Sequence, residues 1–416
     1  MKRIFRDVSW ASVGQFINVG VALVTLKVWA VYLAPAELGL MALIISVPSI
    51  LAGIAIDPIV RAMLVRYSFH FEAGKEKEFR TIVWAIIARF GVICVGAIIL
   101  IGAAVCHFLD LHWSTPLLVA GLFAVDAKRY FEQTLHAAGR RQQLVAMISV
   151  GDVSFRLAFL WLFLEGIGSS AYLAVAGNLL GALVLLTLLL VITRSSDRQR
   201  ASLVCCNFKI NVRKEIFEIA WPIVPSNILA NVSEMSSRYI IAALLGLHQT
   251  GIFVTIYGLV KRPFGMLSDI GFMAMLPVYS ESLAKHNTSE ATRIRFIWFL
   301  SIISLSAIGV ALFYFLGELI VLILLSKSFE VAKEYFLAIG IAMAIYNVIA
   351  IYNGVLLAHG ASRSVLIGNV ISSILIPTAC MLLIPSYGLH GAILGVCVGY
   401  MLHLTTLLIM AHRFNG

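Results

Sequence analysis

The sequence predicts an all-α membrane protein: about twelve transmembrane helices in two six-helix lobes, related as a parallel internal repeat. Composition, the spacing of apolar runs and an internal duplication point to this class. Of the 416 residues, 61% are hydrophobic and only 12% charged, with a mean hydropathy of +0.96. A soluble domain is nearer half apolar and about a quarter charged. Water offers no cover for so much apolar side chain, so a bilayer must be the solvent. One span takes roughly 20 mostly apolar residues, and runs of that length fill the chain.

The basic N-terminal segment Met1 to Asp7 precedes a first apolar run from Trp10 to Leu33. That run is too long for a signal-peptide core and lacks a small-residue cleavage site, so it is expected to be retained. Spans are placed at roughly 10–33, 38–66, 81–105, 116–136, 143–164, 170–193, 216–245, 251–281, 296–325, 334–358, 363–384 and 389–411. The second and eighth exceed what a bilayer needs and are expected to tilt or to project into the cytoplasm. Pro48, Pro222, Pro225 and Pro263 predict kinks or local unwinding. Gly177-xxx-Gly181 and Gly391-xxx-Gly395-xxx-Gly399 predict close helix packing.

Loop charge sets the orientation. With the N-terminus inside, the inner segments collect clusters such as Lys75, Lys77 and Arg80, and the basic stretch from Arg194 to Lys214. The outer loops hold only Lys327 and Lys333, which places both termini in the cytoplasm of a multi-pass protein. The excess of 31 basic over 21 acidic residues then reads as contact with anionic lipid, not nucleic acid.

The chain also repeats. Ala62-Met63-Leu64-x-x-Tyr67-Ser68 recurs as Ala274-Met275-Leu276-x-x-Tyr279-Ser280, and Leu135-His136-Ala137-Ala138-Gly139 recurs as Leu356-Leu357-Ala358-His359-Gly360. Six spans per repeat give both halves one orientation, related by an axis along the membrane normal. The expected division is an N-terminal lobe over 1–196, a basic linker over 197–214 and a C-terminal lobe over 215–416. Two parallel lobes suit alternating access around a central site, which neither a channel nor a passive scaffold requires.

Three groups of residues carry a family resemblance. They are Asp7-Val8-Ser9-Trp10 with Gly14, Asn18 and Tyr32-Leu33-x-Pro35-x-x-x-Gly39; Ala220-Trp221-Pro222 with Leu245-Gly246-x-x-x-x-Gly251-Ile252; and Leu276-Pro277-x-Tyr279-Ser280. With the span count and the short linker, they resemble the bacterial polysaccharide and O-antigen flippases of the multidrug/oligosaccharidyl-lipid/polysaccharide exporter superfamily. The resemblance covers the whole chain, through motifs that specify the superfamily better than the substrate. It implies an inner-membrane flippase moving undecaprenyl-diphosphate-linked oligosaccharide to the outer leaflet for lipopolysaccharide or exopolysaccharide synthesis. A polysaccharide polymerase or another glycan-assembly protein would be its partner.

Ionisable residues at membrane depth usually face a bundle interior or a wet cavity. Lys27 and Arg238 occupy equivalent positions in the two repeats. At about 1.5 Å per residue both lie roughly 10 Å below the outer surface. Lys261 and Arg262 lie near the midplane with no acidic residue three or four positions away, and Arg89 also lacks a local partner. Together these would line a cationic cavity for a diphosphate headgroup. The bland reading is neutralisation within a helix: Glu234 precedes Arg238 by one turn, Asp152 precedes Arg156, and Lys128 and Arg129 sit between Asp126 and Glu132. Lys27 has snorkelling to the interface as its alternative. Glu234, Asp269 and Asp57 are candidates for a coupling ion; Asp57 and Asp269 are equally suited to capping or pairing. Gln15, Asn18, Asn227 and Asn231 could hydrogen-bond sugar hydroxyls or tie helices together.

The cysteines show no metal or disulfide spacing, and no Gly-rich phosphate loop is present, so no cofactor, catalytic group or metal is expected. Two other functions fit such a chain. A cation-coupled drug or metabolite exporter of the same superfamily would favour an acidic cavity, whereas the candidates here lean basic. A membrane-embedded glycan polymerase or transferase would need a sizeable outer loop, and these loops are short.

Overall fold

The computed structural model describes residues 2–108, 112–139, 141–196, 206–285 and 287–412. Helices α1 (Lys2–Tyr32), α2 (Pro35–Ala55), α3 (Asp57–Glu72), α4 (Glu76–Phe108), α5 (Thr115–Ala138), α6 (Gln142–Gly166) and α7 (Ala171–Ser196) form the first half. The second half holds α8 (Cys206–Ala284), α9 (Thr288–Phe315), α10 (Gly317–Leu324), a 3-10 segment (Lys327–Tyr335), α11 (Phe336–Ala358) and α12 (Ser362–His412). No strand occurs among the described residues.

Nine of these helices are long and apolar enough to cross a membrane, among the described residues. Two are broken rods: Gly246, at φ 83°, interrupts α8, and Gly388, at φ 56°, interrupts α12. Each break leaves two arms long enough to cross, and α5 is a further helix of crossing length. It is long enough at 24 residues but carries Asp126, Lys128, Arg129 and Glu132. Leu100, Phe108, Leu322 and Leu382 stand exposed, as a lipid-facing surface requires. The chain is thus an all-α, multi-pass membrane protein.

Local sequence explains several helix starts. Pro35 opens α2, Asp57-Pro58 opens α3 and Thr115-Pro116 opens α5, positions where proline's missing N–H costs nothing. Asn287 caps α9: its side chain accepts from the Glu290 backbone N–H at 3.1 Å and donates to the Glu290 carboxylate at 2.9 Å. The expected unwinding at Pro48, Pro222, Pro225 and Pro263 does not occur, and the only non-helical backbone inside α8 is Gly246. A proline forfeits one backbone bond, which neighbouring groups in a bundle can re-satisfy. A residue at positive φ leaves the helix altogether, and glycine does so at little steric cost.

Contacts divide the chain into two compact units. One contains Met1–Ala22 and Met41–Ile228, the other Leu23–Leu40 and Leu229–Gly416. The unit boundaries therefore fall inside α1, inside α2 and inside the first arm of α8. Residues 197–205 of the expected linker lie outside the described residues, and 206–214 form the opening turns of α8.

In the first unit, Gly177 and Gly181 bring α7 onto the backbone of α6: a Cβ at Gly181 would lie 2.6 Å from the Phe155 carbonyl. In the second, Gly391, Gly395 and Gly399 pack one arm of α12 against the other, at Leu383, Cys380 and Ile376. The repeated motifs meet in each unit, through different residues. Tyr67 is buried beside Gly139, and Tyr279 is buried with its ring 5.9 Å from His359. A reciprocal contact adds to this in the second unit. A Cβ on Gly39 would strike the Leu247 carbonyl, and one on Gly251 would strike the Pro35 carbonyl. Gly39 and Gly251 are 212 residues apart in sequence, as are Pro35 and Leu247.

Candidate functional site

The second unit gathers charge around the two arms of α8. Glu234 and Arg238 lie one turn apart on the first arm, and Lys261 lies on the second. Glu234 does not pair with its helical neighbour. Its carboxylate instead takes a short ion pair from the Lys261 ammonium. Arg238 has no ion-pair or hydrogen-bond partner among the described residues, and its Nε is buried. These three residues hold two cations and one carboxylate, and Asp269 brings a second carboxylate close enough to act on Lys261.

Tyrosines close around this pair. Lys261 stands 5.7 Å from the centre of the Tyr257 ring, one turn before it. The Tyr257 and Tyr400 hydroxyls are 3.2 Å apart and buried, and the Tyr346 ring lies 5.5 Å from that of Tyr400. Tyr346, from α11, is close enough to feel the charges of Lys261, Glu234 and Asp269. Sequence reasoning missed all three tyrosines. Tyr257 was visible only as the residue four before Lys261; Tyr346 and Tyr400 come from distant helices and carried no local signal.

Other candidates fall elsewhere. Lys27 is exposed, with no ion-pair partner among the described residues, and Asp269 is exposed further along the second arm of α8. Arg262 and Asn231 are half-buried, and neither is free of interactions.

In the first unit, Arg89 is exposed on α4. Asp57 is buried and fully engaged. It accepts from the Tyr130 hydroxyl at 2.6 Å and from Asn227 at 2.8 Å, and pairs with Arg61 at 2.6 Å. Asn227 also donates to the Gly53 carbonyl at 2.7 Å, so it fastens α8 to α2 and α3. Asn18 likewise ties α1 to Ser149 of α6 at 2.7 Å, while Gln15 is exposed.

The remaining intramembrane charges of that unit neutralise one another. Arg156 bonds Asp152 at 2.9 Å and makes a short contact with Asp126; Arg129 reaches Asp126 at 3.4 Å and Asp152 at 3.5 Å. Glu132, completely buried, accepts from Lys128 at 2.6 Å and from Arg80 at 3.2 Å. The Lys128 ammonium also rests 3.9 Å from the centre of the Trp84 ring. These cations are structural, and the uncompensated positive charge around α8 belongs to the second unit.

The described residues thus form an all-α membrane protein with two broken rods and a charged, tyrosine-lined cluster, and known folds match it. Over 97% of this chain and 98% of the other, the fold matches an inward-facing multidrug resistance MATE family transporter of the MOP superfamily, at TM-score 0.75 and 12% identity. An outward-facing transporter of that description matches at 0.68 and 12%, over 98% and 95% of the chains. A MOP superfamily transporter from Pyrococcus furiosus Vc1 (DSM3638), whose binding pocket is described as reversed in polarity, matches at 0.68 and 13% over the same shares. No curated protein sequence matches. Residues 4–283 match the family described as polysaccharide biosynthesis protein, and the chain belongs to that family.

Proposed function

We propose that this protein is a flippase. It carries undecaprenyl-diphosphate-linked oligosaccharide from the cytoplasmic to the outer leaflet of the bacterial inner membrane, by alternating access, for surface polysaccharide synthesis. The observation that carries this reading is Arg238, a cation with a buried, unpartnered Nε one turn from the Glu234–Lys261 pair. A guanidinium with one buried N–H left unpaired is costly, and a diphosphate would supply the charge-assisted bond it lacks. Membership of a polysaccharide biosynthesis family supports the same cargo. The polyprenyl tail stays in lipid while the headgroup meets Arg238 and Lys261; Lys27 adds a further unpaired cation in the same unit.

A second reading, a drug or metabolite exporter, is favoured by the fold shared with multidrug transporters. It calls for a site that attracts organic cations, whereas Arg238, Lys261 and Arg262 outnumber Glu234 and Asp269 along α8 here. The test is deletion of the gene, with mass spectrometry of the lipid extract and staining of surface glycan. Accumulated diphosphate-linked oligosaccharide with lost glycan, restored by the intact gene but not by Arg238→Ala, is expected. Normal glycan and normal lipid intermediates, in a strain without a redundant transporter, would refute the reading and favour drug efflux.

A further inference from the structure

The two units carry equivalent hairpins with one backbone plan and two different surfaces. At an offset of 212 residues, the end of α3 at Glu72 matches the end of α8 at Ala284, and the start of α4 at Glu76 matches the start of α9 at Thr288. Buried Phe79 likewise matches buried Ala291. Each hairpin is therefore a control for the other: what one carries and the other lacks is not needed to make the turn.

The tip in the second unit suits water. Glu281 and Lys285 form an exposed ion pair at 2.6 Å, and the Asn287 side chain caps α9. In the first unit Phe69 and Ala73 take the places of that pair, and Lys75 takes the place of the cap. Lysine has no acceptor, so this hairpin gives up a stabilising cap and gains a cation. Lys77 stands where the second unit has Ser289, and Arg66 where it has Val278. The outcome is an apolar ridge, Phe69 being 63% and Phe71 56% exposed, beside exposed Lys75 and Lys77. The Arg66 guanidinium lies 5.7 Å from the centre of the Phe69 ring and approaches Glu215 only at 4.0 Å. Of the neighbouring acids, Glu76 is held by the Tyr67 hydroxyl at 2.6 Å, and Glu78 has its counterpart in Glu290.

Tyr67, stacked on Phe71, lies against Gly139 at the inner end of α5. The 24 residues of α5 rise about 36 Å, through a hydrocarbon core of about 30 Å and into the headgroup layer. Loop charge assigns this end to the cytoplasmic leaflet, whose surface is anionic. We infer that the α3–α4 hairpin is a docking site for an anionic phospholipid of the inner leaflet. Phe69 and Phe71 lie against its glycerol and upper acyl chains, while Arg66, Lys75 and Lys77 meet its phosphate. The equivalent hairpin of the second unit lacks these groups, so the membrane holds the two units unequally, whatever the cargo.

The experiment is native mass spectrometry of the full-length protein in detergent, with phosphatidylglycerol or phosphatidylcholine added. Wild type is expected to hold phosphatidylglycerol more tightly. The variant Phe69→Glu/Lys75→Asn/Lys77→Ser copies the surface of the second unit and restores the cap. It is expected to bind phosphatidylglycerol about 25-fold more weakly, at about fivefold per lysine, with phosphatidylcholine little changed. Lys75→Asn alone, which exchanges a cation for a cap, is expected to lose about fivefold and keeps the test intact should the triple variant misfold. Equal binding of the two lipids by wild type, or variants that hold phosphatidylglycerol as tightly as wild type, would overturn the inference. So would displacement of phosphatidylglycerol by farnesyl diphosphate, which would assign the hairpin to the cargo, or a dimer lost in the triple variant without any lipid preference, which would assign it to a second copy.

Discussion

Glu132→Gln is the most demanding test of how the first unit tolerates charge inside the membrane. The Glu132 side chain is 0% exposed, while its partners Arg80 and Lys128 are 27% and 17% exposed. All three are shielded enough for breaking the cluster to cost what a buried pair costs. The glutamine keeps the shape but removes the only carboxylate shared by two cations from α4 and α5. Removing one partner of a buried pair typically costs about 3–5 kcal/mol, because the remaining charge is stranded. Water reaching the less buried Arg80 lowers this, so about 3 kcal/mol is expected. The assay is denaturant-induced unfolding in mixed micelles, comparing wild type, Glu132→Gln, Lys128→Met and the double variant. The double variant should recover part of the loss, although Lys128→Met alone forfeits the contact with Trp84, worth about 0.5–2 kcal/mol. A Glu132→Gln protein within about 0.5 kcal/mol of wild type would refute the claim that this cluster is shielded and structural.

Other perturbations have equally definite outcomes. Gly251→Ala should destabilise by more than the ~1–3 kcal/mol usual for overpacking, since its Cβ meets a backbone carbonyl that cannot rotate aside; the thermal midpoint of the purified protein reads this. Adding Gly39→Ala should cost less than the sum of the two, because both act on one contact. Asn227→Ala should lose about 1–3 kcal/mol through the bonds to Asp57 and Gly53, and a chevron analysis of unfolding rate would show it. Arg238→Lys should retain part of glycan export and Arg238→Ala none, measured by complementation of the deletion strain.

Much of the architecture was legible because it depends on periodicity and local spacing. Apolar run lengths gave the spans, and the four-residue interval between Asp152 and Arg156 gave their bond. The charges of α5, crowded within seven residues, neutralise as their spacing allowed. What escaped is what distance in sequence conceals. Glu234 and Lys261 are 27 residues apart on separate arms of α8, and the nearer Arg238 pointed to the wrong partner. Asn227 bonds a carboxylate 170 residues away, so its structural use could not be told from a sugar-binding one. The break at Gly246 falls in the gap left between the spans 216–245 and 251–281, whereas the prolines expected to unwind α8 stay helical.

The reciprocal meeting of Gly39 with Gly251 also bears on ancestry. A half-length ancestor pairing with a second copy of itself would have placed one glycine opposite its own twin, and any substitution would have appeared on both sides at once. Fusion of two such copies would have removed that coupling and left each position free to drift alone. Elsewhere the halves have diverged until only short motifs align, yet here each side still lacks a side chain. Backbone meeting backbone leaves no room for a methyl group on either strand of the crossing, so steric necessity, not shared descent, keeps both glycines in place.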